Sequence, residues 1–403
     1  MKALENECMD EYHPHYKQAT SRRDALYQRK HDIRSPFSRD YSRLIFSPAY
    51  RRMKHKTQVF FAVDDDHVCT RSEHVNLVDS ISYTIAKELG LNTELTKAIA
   101  VGHDLGHAPF GHGGEKILRS LAKDYGLPSF WHERNSLYLC DDLEVLEDDI
   151  HHLHNLDLTY AVRDGIISHC GEMRQRCITP RKEAIDLSLI ERPGQYEPWT
   201  YEGCVVKMAD KIAYLARDIE DALRLDVITQ AQVDALLKTL NQFGTPFSAI
   251  NNGVIVNYFI LDVVNHSSPE GIALSEEAFK KMQLIMNFNY ACIYEIKRVK
   301  VHTQYVQLIM HSLFDFLYDY GQRMTFVDDL KKDMIHYPKL ISHYLAWLEK
   351  YAYFGEKREA IYENKVVYDF TCDEKALAQS IIDYLAGMTD SFLLAAFNEL
   401  LSF

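Results

Sequence analysis

Apolar residues recur at intervals of three and four along most of the chain, which is the spacing of one face of an α-helix. The clearest example is 72–89, where the apolar positions are Val75, Val78, Ile81, Ile85 and Leu89, and Gly90 follows as a stop signal. The same spacing predicts further helices over 95–105, 115–122, 157–170 and 201–225. The pattern therefore predicts an all-α protein.

Turn-forming and polar segments interrupt this pattern. GHAPFGHGG (106–114) is expected to form a turn, because glycines flank a proline within a few positions. Residues 171–200 are polar and contain Pro180, Pro193, Gly194 and Pro198, which favour turns, so we expect a surface excursion there. A loop at 61–70 carries Asp64, Asp65 and Asp66, and a solvated loop explains this run better than an ion site.

The second half of the chain gives weaker signals. Residues 247–268 are rich in β-branched residues and Asn, which allows a small β-hairpin, and helices are expected again from 275 onwards. We expect an N-terminal arm or entry helix over 1–35 and a catalytic core over 36–235. A mainly helical C-terminal region, 236–403, is expected to pack on that core.

Composition agrees with a packed helical protein. The 403 residues are 47% hydrophobic and 26% charged, and they include only 17 Gly and 11 Pro. The eight cysteines form no C-x-x-C pair, which suits reduced thiols in the cytoplasm. The N-terminus has no apolar signal core, and the longest apolar run is too short to span a bilayer. We therefore expect a soluble, cytoplasmic protein with no membrane partner.

The net charge of −13 bears on the partners. Nucleic acid is not expected to bind through the whole surface, because phosphate neutralisation needs clustered Lys and Arg. A local basic pocket for a polyphosphate or a local nucleic-acid contact is still compatible with this charge, although it would work against the global field.

Two histidines and two aspartates form the strongest chemical signal: His74, His103, Asp104 and Asp210. Imidazole and carboxylate groups are suitable ligands for Mn, Mg, Fe or Zn. Adjacent helical residues point about 100° apart, so His103 and Asp104 can reach one ion only from near a helix end. Three histidines, Asp104 and Glu115 fall within 103–115, and packing alone does not require such a combination.

Four segments together resemble the dGTPase-like HD-domain triphosphohydrolases. They are SRDYSRLIFSPAYRRMKHKTQVF (38–60), TRSEH (70–74), HDLGHAPFGHGGE (103–115) and MADKIAYLARDIEDAL (208–223). The resemblance covers roughly residues 30–225 and implies an all-α HD fold. It also implies metal ligation by His74, His103, Asp104 and Asp210, and hydrolysis of a deoxynucleoside triphosphate (dNTP) to deoxynucleoside and inorganic triphosphate.

Breaking the bond between the α-phosphorus and the 5′ oxygen calls for a proton donor. His112 is our candidate, and Glu115 lies three residues later, where it could orient His112; the alternative is that Glu115 caps the next helix. The resemblance places both residues in catalytic positions. His107 is expected to line the same pocket, with packing in the turn as the alternative. His132 resembles a further pocket histidine of the family, although a structural role explains it nearly as well.

Five residues are expected to contact the substrate. Arg71 and Lys211 are candidates for binding phosphate, with surface salt bridges as the alternative. Tyr214 and Asp218 follow Asp210 at four and eight residues, so they share its helix face. The resemblance places Tyr214 against the deoxyribose, and Asp218 and Gln58 at the 3′-hydroxyl. From the residues alone, Tyr214 would be assigned to the core and Asp218 would pair with Arg217 or Arg224.

The sequence does not assign a single role to three other groups of residues. The basic stretch Arg51, Arg52, Lys54, His55 and Lys56 suits an interface, a second nucleotide site or a solvated helix face. The histidines 151, 152 and 154 are interpreted as surface residues. Lys297, Arg298 and Lys300 are candidates for the γ-phosphate. The sequence also departs from the family at 72–75, where Ser-Glu-His-Val stands in place of a Thr-His-Ser type of motif, so the surroundings of His74 are expected to differ.

Two alternative functions remain. One is an HD-type nucleotidase or phosphodiesterase acting on other nucleotides, and the other is a non-catalytic nucleotide sensor. The resemblance also implies a homo-oligomer, with a hexamer as the expected form, and a dNTP effector at a second site. No motif for base edges is visible, so the sequence predicts no base preference.

Overall fold

The computed structural model of the chain describes residues 2–24, 32–61, 65, 67–171, 175–323 and 325–401. Residues 25–31 of the predicted arm, and Asp64 and Asp66 of the predicted acidic loop, lie outside the described residues. Helices dominate the part that is described, which confirms the all-α prediction.

The α-helices of the described residues are numbered in chain order. They are α1 (Tyr16–Ala19), α2 (Pro36–Phe46), α3 (Pro48–Arg52), α4 (Arg71–Leu89), α5 (Thr93–Gly102), α6 (Gly111–Asp124), α7 (His132–Tyr138), α8 (Tyr160–Ser168), α9 (Tyr201–Arg224), α10 (Gln230–Leu240), α11 (Asn252–His266), α12 (Glu276–Asn289), α13 (Lys297–Gly321), α14 (Phe326–Asp333), α15 (Pro338–Tyr351), α16 (Ala376–Gly387) and α17 (Asp390–Leu401). A π-helical turn, Leu139–Leu143, follows α7, and another, Tyr290–Tyr294, follows α12.

The strands of the described residues are short and occur in pairs. They are β1 (Val145–Glu147), β2 (Leu153–Asn155), β3 (Cys177–Ile178), β4 (Ile272–Ala273), β5 (Ala352–Tyr353) and β6 (Tyr368–Asp369). β1 pairs antiparallel with β2 and β3 with β4, whereas β5 and β6 are parallel. In the first pair Val145 lies opposite Asn155, and in the second Cys177 lies opposite Ala273.

The chain forms two compact units, each assembled from three chain segments. The first unit comprises Met1–Leu44, Asp65–Asp104 and Leu158–Lys300. The second comprises Ile45–Asp64, Leu105–Asp157 and Val301–Phe403. The predicted division after residues 35 and 235 follows chain order and stays a prediction.

In the first unit, the long helix α9 packs against α4, α5, α8 and α11. α4 begins at Arg71 because Thr70 and Glu73 form a capping box, and it ends at Leu89, before Gly90, whose φ of 89° is left-handed. α5 and α8 approach closely, since a Cβ on Gly165 would lie 2.5 Å from the side chain of Ile99. This close approach holds the C-terminal end of α5, which precedes His103.

In the second unit, apolar side chains of α6, α13, α15, α16 and α17 form one buried cluster. Leu118, Phe314 and Tyr344 are fully buried examples. Ser380 also lies in this core, where it hydrogen-bonds to the hydroxyl of Tyr344 at 2.8 Å. The apolar faces of the C-terminal helices thus provide the support for the α6 segment.

The predicted β-hairpin at 247–268 is wrong, because most of these residues, Asn252–His266, form the helix α11. Asn251 caps it by accepting from the backbone N–H of Val254. Ile255, Phe259 and Val263 recur every four residues and are fully buried, so packing of one helical face outweighs the β preference of the branched residues. A hairpin does occur elsewhere, at β1 and β2.

The other helix predictions are close to the observed bounds. The helix predicted over 95–105 ends earlier, at Gly102, and the helix predicted from 115 begins earlier, at Gly111. The segment 171–200 is irregular over its described residues, apart from β3 and one short 3-10 turn. Among the described residues, no helix combines the length and the apolar content that crossing a bilayer requires.

Candidate functional site

A cluster of imidazole and carboxylate groups lies in the first unit, where α4, α5 and α9 pack together. Nε2 of His74 is 3.1 Å from Oδ1 of Asp210, and Nε2 of His103 is 3.8 Å from the same oxygen. Each of the three residues offers one ligand atom, and these atoms lie within 4.8 Å of one another. Ligand atoms about 2.0–2.2 Å from one ion are roughly 3–4 Å apart, so small shifts would let the three share a cation.

Asp104, the fourth predicted ligand, is held by an arginine. Its Oδ1 lies 4.0 Å from Nε2 of His103, while its Oδ2 accepts a hydrogen bond from Arg71 at 2.7 Å. Arg71 is only 2% exposed, so the alternative of a surface salt bridge is wrong. The arginine fixes the orientation of the Asp104 carboxylate, and its predicted contact with phosphate stays a prediction.

Helix ends bring these ligands together. His74 lies in the first turn of α4 because the capping box starts that helix at Arg71. α5 ends at Gly102, so His103 and Asp104 follow at its C-terminal end, where adjacent residues can approach one point. Asp210 lies near the middle of α9.

Burial and neighbouring charges set the protonation of the cluster. Burial lowers the pKa of His103, which favours the neutral imidazole that binds metals. Burial opposes the ionised form of Asp210, but Lys211 and the two histidines outweigh it and hold the pKa well below its usual range. Burial also opposes the charged form of His74, but the carboxylates of Asp210 and Asp104 raise its pKa above the usual value.

The surroundings of His103 also suit a metal ligand. Its Nδ1 lies 2.6 Å from the carbonyl oxygen of Ala100. A carbonyl oxygen only accepts, so Nδ1 carries the proton and Nε2 keeps its lone pair, as is usual for metal-bound histidine. The ring of His169, 4.9 Å away and perpendicular, packs against His103. The donor set of two imidazoles and two carboxylates therefore fits a divalent cation.

Two predicted substrate residues lie on α9 beside Asp210. The ammonium of Lys211 is 3.2 Å from Oδ2 of Asp210 and 5.9 Å from the centre of the Tyr214 ring. Tyr214 is half-buried, so the assignment to the core describes it only in part. Lys211 adds a positive charge beside the carboxylate, and its contact with phosphate stays a prediction.

Asp218, one further turn along the same face, has a partner that the sequence did not suggest. The hydroxyl of Tyr294, at the end of the π-helical turn, donates to Oδ2 of Asp218. Burial raises the pKa of Asp218 to about 7. The alternative pairing with arginine is wrong, because the arginines pair elsewhere: Arg217 with Asp221 at 3.6 Å and Arg224 with Asp65 at 3.8 Å.

A second cluster, in the second unit, surrounds Glu115. Its Oε2 lies 2.8 Å from Nδ1 of His132 and 3.8 Å from Nδ1 of His112, and its Oε1 accepts from Arg119. Burial opposes ionisation of Glu115, but the contacts with His112 and His132 hold its pKa well below the usual range. α6 begins at Gly111, so the alternative that Glu115 caps this helix is wrong.

The three histidines of this cluster differ in exposure. The side chain of His112 is 82% exposed, whereas that of His132 is 16% exposed. His107 is buried and stacks on His132, with ring centres 3.8 Å apart and an angle of 15°. Glu115 thus makes its shorter contact with His132, while the ring of His112 faces solvent.

Glycine is required in the turn that precedes His107. The N–H of Gly106 donates to Ser136 at 2.8 Å, and its carbonyl accepts from Asn135 at 2.7 Å. A Cβ on Gly106 would lie 2.1 Å from the backbone nitrogen of Ser136. The turn is therefore bound tightly to α7, the helix that begins with His132.

The other face of this turn is held by Lys56 and Asp390. Lys56 is buried, and its ammonium donates to the carbonyl oxygens of His107 and Ala386. Asp390 accepts from the N–H of Phe110 at 2.9 Å and from the hydroxyl of Thr57 at 2.8 Å. Phe110 has a left-handed φ of 58°, so this contact holds an unfavourable backbone conformation in place.

These contacts also bear on Gln58. This half-buried residue directly follows Thr57, whose N–H and hydroxyl are both bonded to Asp390. The short segment from Lys56 to Gln58 is therefore held at two consecutive positions. The predicted contact of Gln58 with the 3′-hydroxyl of the sugar stays a prediction.

The remaining groups of candidate residues differ in exposure and in their contacts. Within the basic stretch, Lys56 is buried and Arg52 pairs with Glu144 at 2.7 Å, whereas Arg51, Lys54 and His55 are exposed. The histidines 151, 152 and 154 bind acidic side chains around the β1–β2 hairpin: Glu147, Glu363 and Asp148. Lys297, Arg298 and Lys300 are exposed at the start of α13.

Sequence reasoning did not identify several residues that contact the candidate sites, among them Arg119, His169, Tyr294 and Asp390. Arg119 could have been found, because it lies four residues after Glu115 on one helix. His169, Tyr294 and Asp390 are 66 or more residues from the groups they contact, and no local pattern links such positions.

Comparison with known proteins identifies relatives over most of the chain. The HD domain family model matches residues 71–215. A deoxyguanosinetriphosphate triphosphohydrolase-like protein of Caldanaerobacter subterraneus subsp. tengcongensis is 32% identical over 387 residues, 95% of this chain and 90% of that protein. Proteins of the same name from Desulfatibacillum aliphaticivorans and Clostridium tetani are 33% identical over 376 residues and 27% over 382. These two matches cover 91% and 93% of this chain, respectively, and 88% of each relative.

The HD match covers α4, α5 and α9 up to Leu215, the helices that carry the His74, His103, Asp104 and Asp210 cluster. The match and the cluster support a metal-dependent phosphohydrolase. With identity above 30% over nine tenths of the chain, this protein belongs to the family of deoxyguanosinetriphosphate triphosphohydrolase-like HD-domain proteins.

Proposed function

We propose that the chain hydrolyses deoxynucleoside triphosphates, dGTP or several dNTPs, to deoxynucleoside and inorganic triphosphate. The observation that carries this proposal is the buried cluster in which His74, His103 and Asp210 offer ligand atoms within 4.8 Å of one another. The names of the relatives supply the substrate class. Mn, Mg, Fe and Zn all suit the donor set, to which Asp104 adds a second carboxylate.

A divalent cation at this cluster would neutralise negative charge on the α-phosphate and lower the pKa of a water molecule. Arg71 keeps Asp104 directed at the cluster through their 2.7 Å hydrogen bond. Lys211 is proposed to move from Asp210 to a phosphate oxygen when substrate binds, since an ammonium can bind either anion.

The leaving 5′ oxygen is proposed to take its proton from His112. The exposed ring of His112 is accessible to a ligand, and its Nδ1 lies 3.8 Å from the carboxylate of Glu115, which can orient the ring. Water supplies the oxygen that joins the α-phosphorus as the bond to the 5′ oxygen breaks, and the proton that this water loses replaces the one that His112 has donated. His132 and His107, stacked on each other, are proposed to position Glu115 and a phosphate oxygen respectively.

We propose that the cation ligands and these histidines act on the same substrate. The amino-acid sequence supports this proposal, because only Leu105 and Gly106 separate Asp104 from His107. Tyr214 is proposed to lie against the deoxyribose, and Asp218 and Gln58 to bind the 3′-hydroxyl. The hydroxyl of Tyr294 fixes the Asp218 carboxylate for that task.

A homo-oligomer, with a hexamer as the expected form, and a dNTP effector at a second site are proposed on the family resemblance alone. The cytoplasmic location is proposed on the cysteine pattern, which suits reduced thiols. Light scattering at micromolar concentration tests the oligomer, and a monomer would contradict it.

The decisive experiment incubates the protein with Mn²⁺ or Mg²⁺ and each of the four dNTPs and GTP, and separates inorganic triphosphate from pyrophosphate and phosphate. Release of triphosphate with deoxynucleoside supports the proposal. Release of monophosphate or cleavage of other nucleotides would support a nucleotidase or phosphodiesterase instead. Metal and dNTP binding without turnover would support a nucleotide sensor.

A further inference from the structure

A further cavity of about 480 Å³ lies within the second unit, and none of the residues that line it is a proposed cation ligand, catalytic residue or substrate contact. Its walls come from α15, α16 and α17 and from the segments around Pro48 and Glu144. Aromatic side chains line much of it: Trp347, Tyr351, Tyr362, Tyr384 and Phe392. The volume falls within the range of about 300–1,000 Å³ that is usual for small-molecule sites.

The charges that line this cavity do not balance. Arg52 and Lys350 are positive, and Glu144 is the single carboxylate among the lining residues. Both oxygens of Glu144 are engaged, one by Arg52 at 2.7 Å and the other by the N–H of Ala49 at 3.0 Å. One positive charge, that of Lys350, is therefore left over.

Lys350 has no anionic partner within the part of the chain that the structure describes. Its ammonium lies 5.7 Å from the centre of the Tyr351 ring. Burial lowers the pKa of Lys350, although Glu144 partly offsets this. A half-buried ammonium without an anion in an aromatic cavity is a site that a ligand anion would stabilise.

We propose that this cavity binds a small molecule made of a planar aromatic ring and one anionic group. The aromatic walls hold the ring, because apolar area and ring contacts favour a flat aromatic partner. The ammonium of Lys350 binds the anion and gives the selectivity for its charge. This site is independent of the proposed triphosphohydrolase reaction.

Calorimetry on the full-length protein tests the proposal with two probes of the same shape, 2-naphthoate and the neutral 2-naphthalenemethanol. We expect saturable binding of both, with 2-naphthoate tighter by about tenfold, since one charge-assisted hydrogen bond contributes this much. Lys350→Met should raise the Kd of 2-naphthoate to that of the alcohol and leave the alcohol unchanged. Lys339→Met, at an exposed position of the same helix, is the matched control and should alter neither Kd.

A second variant tests the cavity itself. Ala346 is exposed and lines the cavity, so Ala346→Trp should fill it without disturbing the core and abolish binding of both probes. The thermal unfolding midpoint of each variant verifies that it folds. Three results would overturn the proposal: no binding of 2-naphthoate up to about 5 mM, equal affinity of the wild type for both probes, or unchanged 2-naphthoate binding in the folded Lys350→Met or Ala346→Trp protein.

Discussion

The ammonium of Lys56 donates a hydrogen bond to the carbonyl oxygen of His107, 51 positions later in the chain. The same ammonium donates to the carbonyl of Ala386 at 3.1 Å, just before the turn that leads into α17. One buried cation therefore joins the turn of a proposed catalytic histidine to the C-terminal helices. Lys56 and Asp390 are positioning residues in this interpretation, since each acts through the backbone of the turn.

Lys56→Met should destabilise the protein and slow turnover. Two buried carbonyl oxygens lose their donor, which costs about 1–3 kcal/mol of the free energy of unfolding. The turn that carries His107 should also move, so kcat is expected to fall more than metal affinity. Urea unfolding, steady-state kinetics and Mn²⁺ titration measure the three effects.

Two variants serve as controls for Lys56. Lys54→Met changes an exposed lysine two positions earlier and should have little effect on stability or kcat. Lys56→Arg keeps a donor and should restore part of kcat. A Lys56→Met protein with wild-type kcat would show that the turn does not depend on this contact.

Asp210→Asn should weaken binding of a divalent cation. The substitution removes the negative charge that lies 3.1 Å from His74 and 3.8 Å from His103, so the affinity for Mn²⁺ is expected to fall at least about tenfold. Calorimetric titration with Mn²⁺ measures the change without reference to activity. Asp234→Asn, at an exposed position of α10, is the control, and equal Mn²⁺ affinity in both variants would rule out Asp210 as a ligand.

Glu115→Gln should reduce kcat by about a hundredfold while leaving Mn²⁺ affinity unchanged. A neutral amide removes the negative charge beside His112 and His132, although the helix keeps its shape. Triphosphate release under saturating dNTP measures kcat. Asp124→Asn, at the exposed end of the same helix, should behave as wild type. Wild-type turnover in Glu115→Gln would remove this residue from the proposed mechanism.

The stability of the second unit should depend on pH through Asp383. Burial raises the pKa of this carboxyl to about 7, although hydrogen bonds from the hydroxyls of Tyr138 and Tyr368, both at 2.9 Å, lower it in part. The usual value is 3.8, so between about pH 4 and pH 7 the folded state keeps a proton that the unfolded state has released. Stability should therefore fall as pH rises through this window and level off above it.

Comparison with Asp383→Asn isolates this contribution. Asn cannot ionise, so the variant should gain stability relative to the wild type as pH rises from about 4 to 7. Urea unfolding at several pH values measures this difference. A constant difference across the window would mean that the pKa of Asp383 is not raised in the folded protein.

How far the sequence predicted the site depends on the distance between the contacting residues. The spacing in 72–89 predicted α4, and with it the position of His74, because helical periodicity depends only on residues that are close together in the chain. The basic stretch at 51–56 shows the limit, since Lys56 is buried while Arg51 and Lys54 are exposed. Their side chains are chemically alike, and only the surrounding helices distinguish them.

Dependence on packing with distant segments also explains why the hairpin predicted at 247–268 is wrong. The β preference of Val and Ile is weak, and it depends on what the side chain packs against. Burial of Ile255, Phe259 and Val263 on one face selected the helix. No local pattern indicated the contact of Tyr294 with Asp218, because these residues are 76 positions apart.

The amino-acid sequence alone determined the all-α class, the main helices and the residue types available as cation ligands. These follow from local periodicity, capping and side-chain chemistry, which involve a few neighbouring residues. Only the tertiary structure decided that Arg71 pairs with Asp104, that Glu115 lies closer to His132 than to His112, and that Lys56 supports the His107 turn. Such pairings arise when packing brings distant chain segments together, and the buried side chains then select their partners by geometry and charge.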